Sequence, residues 1–364
     1  MIKKEKYINI ISDNRFWERE IGMFDIIETG KRLAKLRRSA NMTQMEVAEK
    51  LGISFQAVSC WEHGKTMPDI SNLLKIAQIY NVSVDEILSN ERQANAVNSI
   101  AAGKKTPDLL QVISIMKPDE INAAVKNSKI AVDDFGDIIY AAPYLEEDQL
   151  SSLAAANADK VKDFRQIVNI AFYADRYAMD IIVGKNFDKF TDFDEVVKAS
   201  SFISPEVLKK LALKKRELIV TLSQIYDIAF RLDKDTVDIL VGDRIKTAES
   251  FKYITLLATY LNKEMFCRLV KHNVHLLEDF EDVCRLASFL DKETVSLLAE
   301  QNSRKVQNFA QVDNIACYLT PSALARVAFD NIEKVQSKKQ ISNICYHLDE
   351  KDREAFAKNA ECFI

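Results

Sequence analysis

The sequence predicts an all-α protein, and three observations carry that prediction. Glycine and proline are scarce, 8 and 6 in 364 residues, too few for the turns of a β-protein. Apolar residues recur at helical steps through stretches such as SSLAAANADKVKDFRQIVNIAFYADRYAMDIIVG at 151–184. Past residue 105 the chain repeats itself every 29 residues without an insertion. The implied organisation is an extension of unassigned role at 1–23, a small five-helix domain at 24–90, a polar linker at 91–105, and an array of helical hairpins at 106–364.

The five helices follow from local signals. A basic, amphipathic helix is expected over 30–40. Thr43, with Glu46 three residues on, forms a capping box for a second helix ending at Leu51. Ser54 is an N-cap for SFQAVSCWEHGK, a short helix that stops at Gly64. On its wheel Ala57, Val58 and Trp61 share a core face, while Phe55, Gln56, Ser59, Cys60 and His63 spread over the remainder. Pro68 and Asp69 open ISNLLKIAQIY, and Ser83 with Glu86 repeats the capping box before VDEIL. Helices two and three, joined by the GIS step, form a helix-turn-helix, whose second helix is shaped for the DNA major groove.

The residues MTQMEVAEKLGISFQAVSCWEHGKTMPDISNLLKIAQIYNVSVDEIL closely resemble the helix-turn-helix domain of the Cro/C1 repressor (XRE) family, over about 65 residues and without a gap. That resemblance implies double-stranded DNA as partner. It implies that Gln44 holds a phosphate, that Phe55, Gln56 and Cys60 stand at base-reading positions with Ser59 beside them, and that Ser54, His63 and Lys65 contact the DNA backbone. It further implies a buried ion pair between Arg37 and Glu62. Cys60 and His63 depart from the family's commoner Lys, Arg or Asn and reduce the donors offered to phosphate or guanine. The chemistry agrees independently: a Gln amide suits adenine N6 and N7, and an aromatic or small apolar group can meet a thymine methyl. Lys31, Arg32, Lys35, Arg37 and Arg38 read as a local phosphate-facing patch.

The array is legible from its offsets. Met116, Leu145, Ala174, Ile203, Leu232, Leu261, Leu290, Leu319 and Leu348 mark the period. One residue later come capping types in most units (Asp175, Ser204, Asp233, Asn262, Asp291, Thr320, Asp349), then Pro118, Pro205 or Pro321 in three of them, so a first helix starts there. Eighteen residues past each marker a second run of caps appears, such as Asp134, Asp163, Asp192 and Asp279, followed in most units by Phe; a second helix starts there. TPDLLQVISI reads as a lone second helix ahead of the first full unit. Lys338 in place of Phe, and Arg353 in place of an apolar residue, read as a polar cap. A hairpin of this kind must stack on its neighbours to bury both faces, so an α-solenoid is expected. It resembles HEAT-like or tetratricopeptide-like arrays in architecture without matching a named repeat.

A net charge of −4 argues against indiscriminate nucleic-acid binding. Six cysteines without a CxxC pair and no long apolar run point to a reduced, cytoplasmic protein without a membrane span. Cys267, His272 and His275 lack a fourth ligand and straddle a helix end, so no metal is expected. GKK at 103–105 lacks the rest of a phosphate loop, and no catalytic set or cofactor site stands out. The chain reads as a non-enzymatic, sequence-specific transcriptional regulator of repressor type and a homodimer. Its solenoid dimerises or binds a peptide, protein or small molecule. The alternative is an interaction scaffold, or an antitoxin or defence-associated protein, whose DNA domain is autoregulatory.

Overall fold

The computed structural model describes residues 25–104, 106, 108–127, 130, 132–246 and 248–364. The expected extension at 1–23 lies outside them. Every regular element among the described residues is an α-helix or a short 3-10 turn. The chain divides into two compact units, Met1–Lys189 and Phe190–Ile364.

The first unit opens with α1 (Ile26–Ser39), α2 (Gln44–Leu51), α3 (Phe55–Glu62), α4 (Ile70–Tyr80) and α5 (Val84–Leu88). Both expected capping boxes form, Thr43 with Glu46 and Ser83 with Glu86. Gly52 ends α2 at φ 69°, a left-handed conformation that favours glycine. Leu33, Val47, Leu51, Val58, Trp61, Leu73, Ile76 and Ile87 pack into one buried core.

Two expectations for this region need correction. The first helix begins at Ile26 and not at Gly30, because Asp25 caps it through a hydrogen bond from the Glu28 N–H at 2.8 Å. Gly30 lies inside α1, where a Cβ would stand 2.4 Å from the Trp61 carbonyl oxygen and 3.0 Å from that of Glu62. A mid-helix glycine costs about 1 kcal/mol against alanine, and here it lets α1 sit directly on the end of α3. The segment 91–105, read as linker, instead holds α6 (Glu91–Ala101), capped by Asn90, with Ala94, Ala96 and Val97 buried.

Past α6 the lone second helix expected in TPDLLQVISI is instead a pair of 3-10 turns, Leu109–Gln111 and Ile113–Ile115, parted at Val112 (φ −125°). The hairpins follow in register. First helices start at Pro118, Glu147 and Arg176 in the first unit, and at Pro205, Lys234, Lys263, Lys292, Pro321 and Glu350 in the second. Second helices start at Phe135 and Phe164, then at Phe193, Leu222, Phe251, Phe280, Phe309 and Lys338. Most hold their expected N-caps by side-chain hydrogen bonds; Asn262 instead turns its amide to Asp235 and Asp238.

Two ladders of polar contacts tie successive hairpins together within each unit. The Asn186 amide donates to the Ala158 and Ile182 carbonyls at 2.7 and 2.8 Å. Asn273 does the same to Ile245 and Leu269, and Asn331 to Ser303 and Val327. These amides are buried; each satisfies a carbonyl in the last turn of its own helix and adds a bond to a carbonyl of the preceding hairpin. In the second ladder a side chain on one first helix accepts from the backbone N–H that opens the next: Ser151 from Asp175 at 2.9 Å, Cys267 from Asp291 at 3.5 Å, Ser296 from Thr320 at 2.9 Å. Arg353 donates to the Cys345 and Leu348 carbonyls at the end of the helix Lys338–His347.

Candidate nucleic-acid interface

The candidate interface is the outer face of α3. Val58 and Trp61 turn into the core, which sends Phe55 and Gln56 outward and leaves Ser59 and Cys60 half-buried beside them. Phe55 is 40% exposed, unusual for a phenylalanine outside a packing role. Ser54 Oγ accepts from the Ala57 N–H at 3.3 Å and so caps the helix. His63 closes the other end; its Nδ1 lies 2.7 Å from the Ser59 carbonyl, which requires the proton on Nδ1. Lys65 is exposed just past Gly64.

A half-buried polar cluster holds this helix in place. Arg37 Nε and Nη2 donate to Glu62 Oε1 and Oε2 at 2.6 and 2.9 Å, and Nη1 donates to the Met42 carbonyl at 2.7 Å. The side chains are 13% and 5% exposed, so the pair sits largely out of water. Burial pushes the Glu62 carboxyl up, but hydrogen bonds from Arg37 and Gln44 and the nearby guanidinium charges outweigh it, and the net shift is down. Burial and then the Glu62 charge push the Tyr80 hydroxyl up to about 12.

Gln44 has a structural partner as well. Its amide donates to Glu62 Oε2 at 2.8 Å, which ties the start of α2 to the end of α3. The basic patch also narrows. Arg32 donates to the Ile87 and Leu88 carbonyls at 2.9 and 3.0 Å and closes the end of α5, Lys31 pairs with Glu28, and Arg37 is spent on Glu62. Lys35 and Arg38 stand exposed on α1. Nothing local in the sequence separates Arg32 from its neighbours. Gly30 had a signal, a lone glycine inside a helical pattern.

Cys267 is buried, and its sulfur accepts from the Asp291 N–H. Burial, with the Glu281 and Asp279 charges, pushes the Cys284 thiol up to about 12.

Two short helices joined by a tight turn, the second presenting an exposed face and anchored from behind, define a helix-turn-helix DNA-binding domain. A helix-turn-helix family profile matches residues 33–87. The domain is of the Cro/C1 (XRE) type. The HTH-type transcriptional activator BcrR of Enterococcus faecalis is 40% identical over 65 residues, 18% of this chain and 32% of that protein. The HTH-type transcriptional regulator ImmR of Bacillus subtilis is 44% identical over 62 residues, 17% of this chain and 49% of that protein. The cryptic phage CTXphi transcriptional repressor RstR of Vibrio cholerae is 39% identical over 57 residues, 16% of this chain and 51% of that protein. The chain thus spans about half or less of the length of these relatives, and each likeness covers less than a fifth of this chain. The crystal structure of ComR from Streptococcus suis aligns with 78% of this chain and 96% of its own at 14% identity, with a TM-score of 0.18, too low to argue a shared fold. Among the described residues no helix is long and apolar enough to cross a membrane.

Proposed function

We propose that the chain is a cytoplasmic, sequence-specific transcriptional repressor that binds its operator as a homodimer. Phe55, Gln56, Ser59 and Cys60 enter the major groove, while Ser54, His63 and Lys65 contact the flanking backbone. Gln44 holds Glu62 through one amide N–H, and its second N–H is left to meet a phosphate. The observation that carries this reading is the exposed face of α3, anchored from behind by the largely buried side chains of the Arg37–Glu62 pair.

The hairpins supply the dimer contact, a surface for an effector peptide, protein or small molecule, or both. One helix-turn-helix module buries roughly 600–1,000 Å² on DNA, and proteins of this class gain specificity by occupying two half-sites about one turn apart. Exposed Phe172 and Tyr177 on hairpins of the first unit, and Phe230 and Phe289 on those of the second, support an interaction role for the hairpins. The test is to sediment the purified full-length protein and to sequence the genomic fragments it retains. A dimer that retains fragments sharing a pseudo-palindrome supports the reading. A monomer that retains no common motif removes it and favours the interaction scaffold.

A further inference from the structure

We infer that the base pairs under α3 are A·T pairs, with Gln56 on an adenine edge and Phe55 and Cys60 against thymine methyl groups. This rests on the proposed role of α3 as the reading helix and goes beyond it by naming what is read.

The argument is one of donors and acceptors. Each base pair shows a distinct pattern in the major groove, and guanine is read chiefly by Arg or Lys placed bidentately on O6 and N7. The helix from Phe55 to Glu62, FQAVSCWE, holds neither. Cytosine offers an N4 donor that calls for a carboxylate. The one carboxylate on α3, Glu62, already receives Arg37 on both oxygens and Gln44 on one, and its side chain is 5% exposed.

What faces outward fits the other pair. The Gln56 amide carries a donor and an acceptor at the spacing of adenine N7 and N6. The Phe55 ring and the Cys60 thiol offer apolar contact, which suits a C5-methyl group and leaves guanine or cytosine polar edges unmatched. Ser59 accepts or donates and does not discriminate. Lys65 and the His63 ring lie past the C-terminal end of α3, whereas helices of this motif read bases with their N-terminal residues.

The experiment is selection of a randomised duplex library by the full-length protein, followed by titration of the winning sequence at one salt concentration. The expected half-site has contiguous A·T pairs at the positions that respond to Gln56→Ala. Replacing its thymines by uracil, which removes only the C5-methyl groups, should weaken binding about three- to ten-fold. Gln56→Arg should move the preference at one base pair from A to G. G·C pairs at the Gln56-responsive positions would overturn this inference and leave the regulator reading intact. So would full affinity for the uracil duplex. A library that enriches no motif would overturn both.

Discussion

Arg37 and Glu62, 25 residues apart, form a two-pronged ion pair with N–O distances of 2.6 and 2.9 Å, and it joins the helix that opens the domain to the helix that faces outward. Gln44 adds a third donor at 2.8 Å, so three helices meet on one carboxylate. The position of α3 therefore depends on a group outside the proposed base-reading set.

Removing that carboxylate should be costly. Glu62→Ala leaves the Arg37 guanidinium without its counter-charge in a largely buried site, which costs about 3–5 kcal/mol, against at most about 1 kcal/mol for an exposed pair. Denaturant unfolding of the full-length protein, followed through the transition of the DNA-binding domain, checks this. An unchanged midpoint would show the pair to be unimportant to stability.

The same pair gives a pH dependence whose sign is fixed. The folded Glu62 carboxyl titrates below its ordinary value of 4.5. Its stabilisation is fully present above the unfolded value and is lost as pH falls through the folded one. The stability gap between the native protein and Glu62→Gln should therefore narrow below about pH 4.5. A gap of constant size down to about pH 3 would contradict the assignment.

Gly30 tests the close approach of α1 to α3. In Gly30→Ala the new methyl would fall 2.4 Å from the Trp61 carbonyl oxygen, so the helices must separate. Overpacking of this kind costs about 1–3 kcal/mol, although alanine is the better helix former. Thermal unfolding should show a loss, and operator affinity should fall with it because α3 is displaced. A stabilised variant would show that the two helices have room to spare.

The inter-hairpin ladders predict a contrast between two buried positions. Asn331→Ala removes the bonds to the Ser303 and Val327 carbonyls, leaves the latter unsatisfied and should cost about 1–3 kcal/mol. Cys267→Ser should change stability by less than about 1 kcal/mol, because Ser151 and Ser296 make the same bond one or more repeats away. Unfolding curves for the two variants separate them; equal losses would mean that packing and not hydrogen bonding decides at both sites.

Some of this was legible in the sequence and some was not. The capping boxes at Thr43 and Ser83, and the helix starts of each hairpin, are local patterns, and local patterns survive without knowledge of the fold. The partnership of Arg37 with Glu62 is implied by family resemblance, since 25 residues of spacing carry no such information. The carbonyl bonds of Arg32 are not legible in the sequence, because its acceptors lie 55 and 56 residues along, beyond any local residue pattern. The helix Glu91–Ala101 resembled a linker because its buried face is built from alanines and one valine, with Gln93 buried beside them. The asparagine ladder does leave a signal: Asn157, Asn186, Asn273, Asn302 and Asn331 recur at multiples of the 29-residue period, at offsets that are neither apolar nor capping.

The most direct test of α3 as the reading helix is the affinity of Gln56→Ala, beside the native protein, for the selected operator and for a scrambled duplex at equal salt. Gln56 is exposed and caps nothing, so the fold should be intact. The predicted result is a loss of about 1–3 kcal/mol on the operator and little change on scrambled DNA. Equal losses on both duplexes, or none on either, would contradict it.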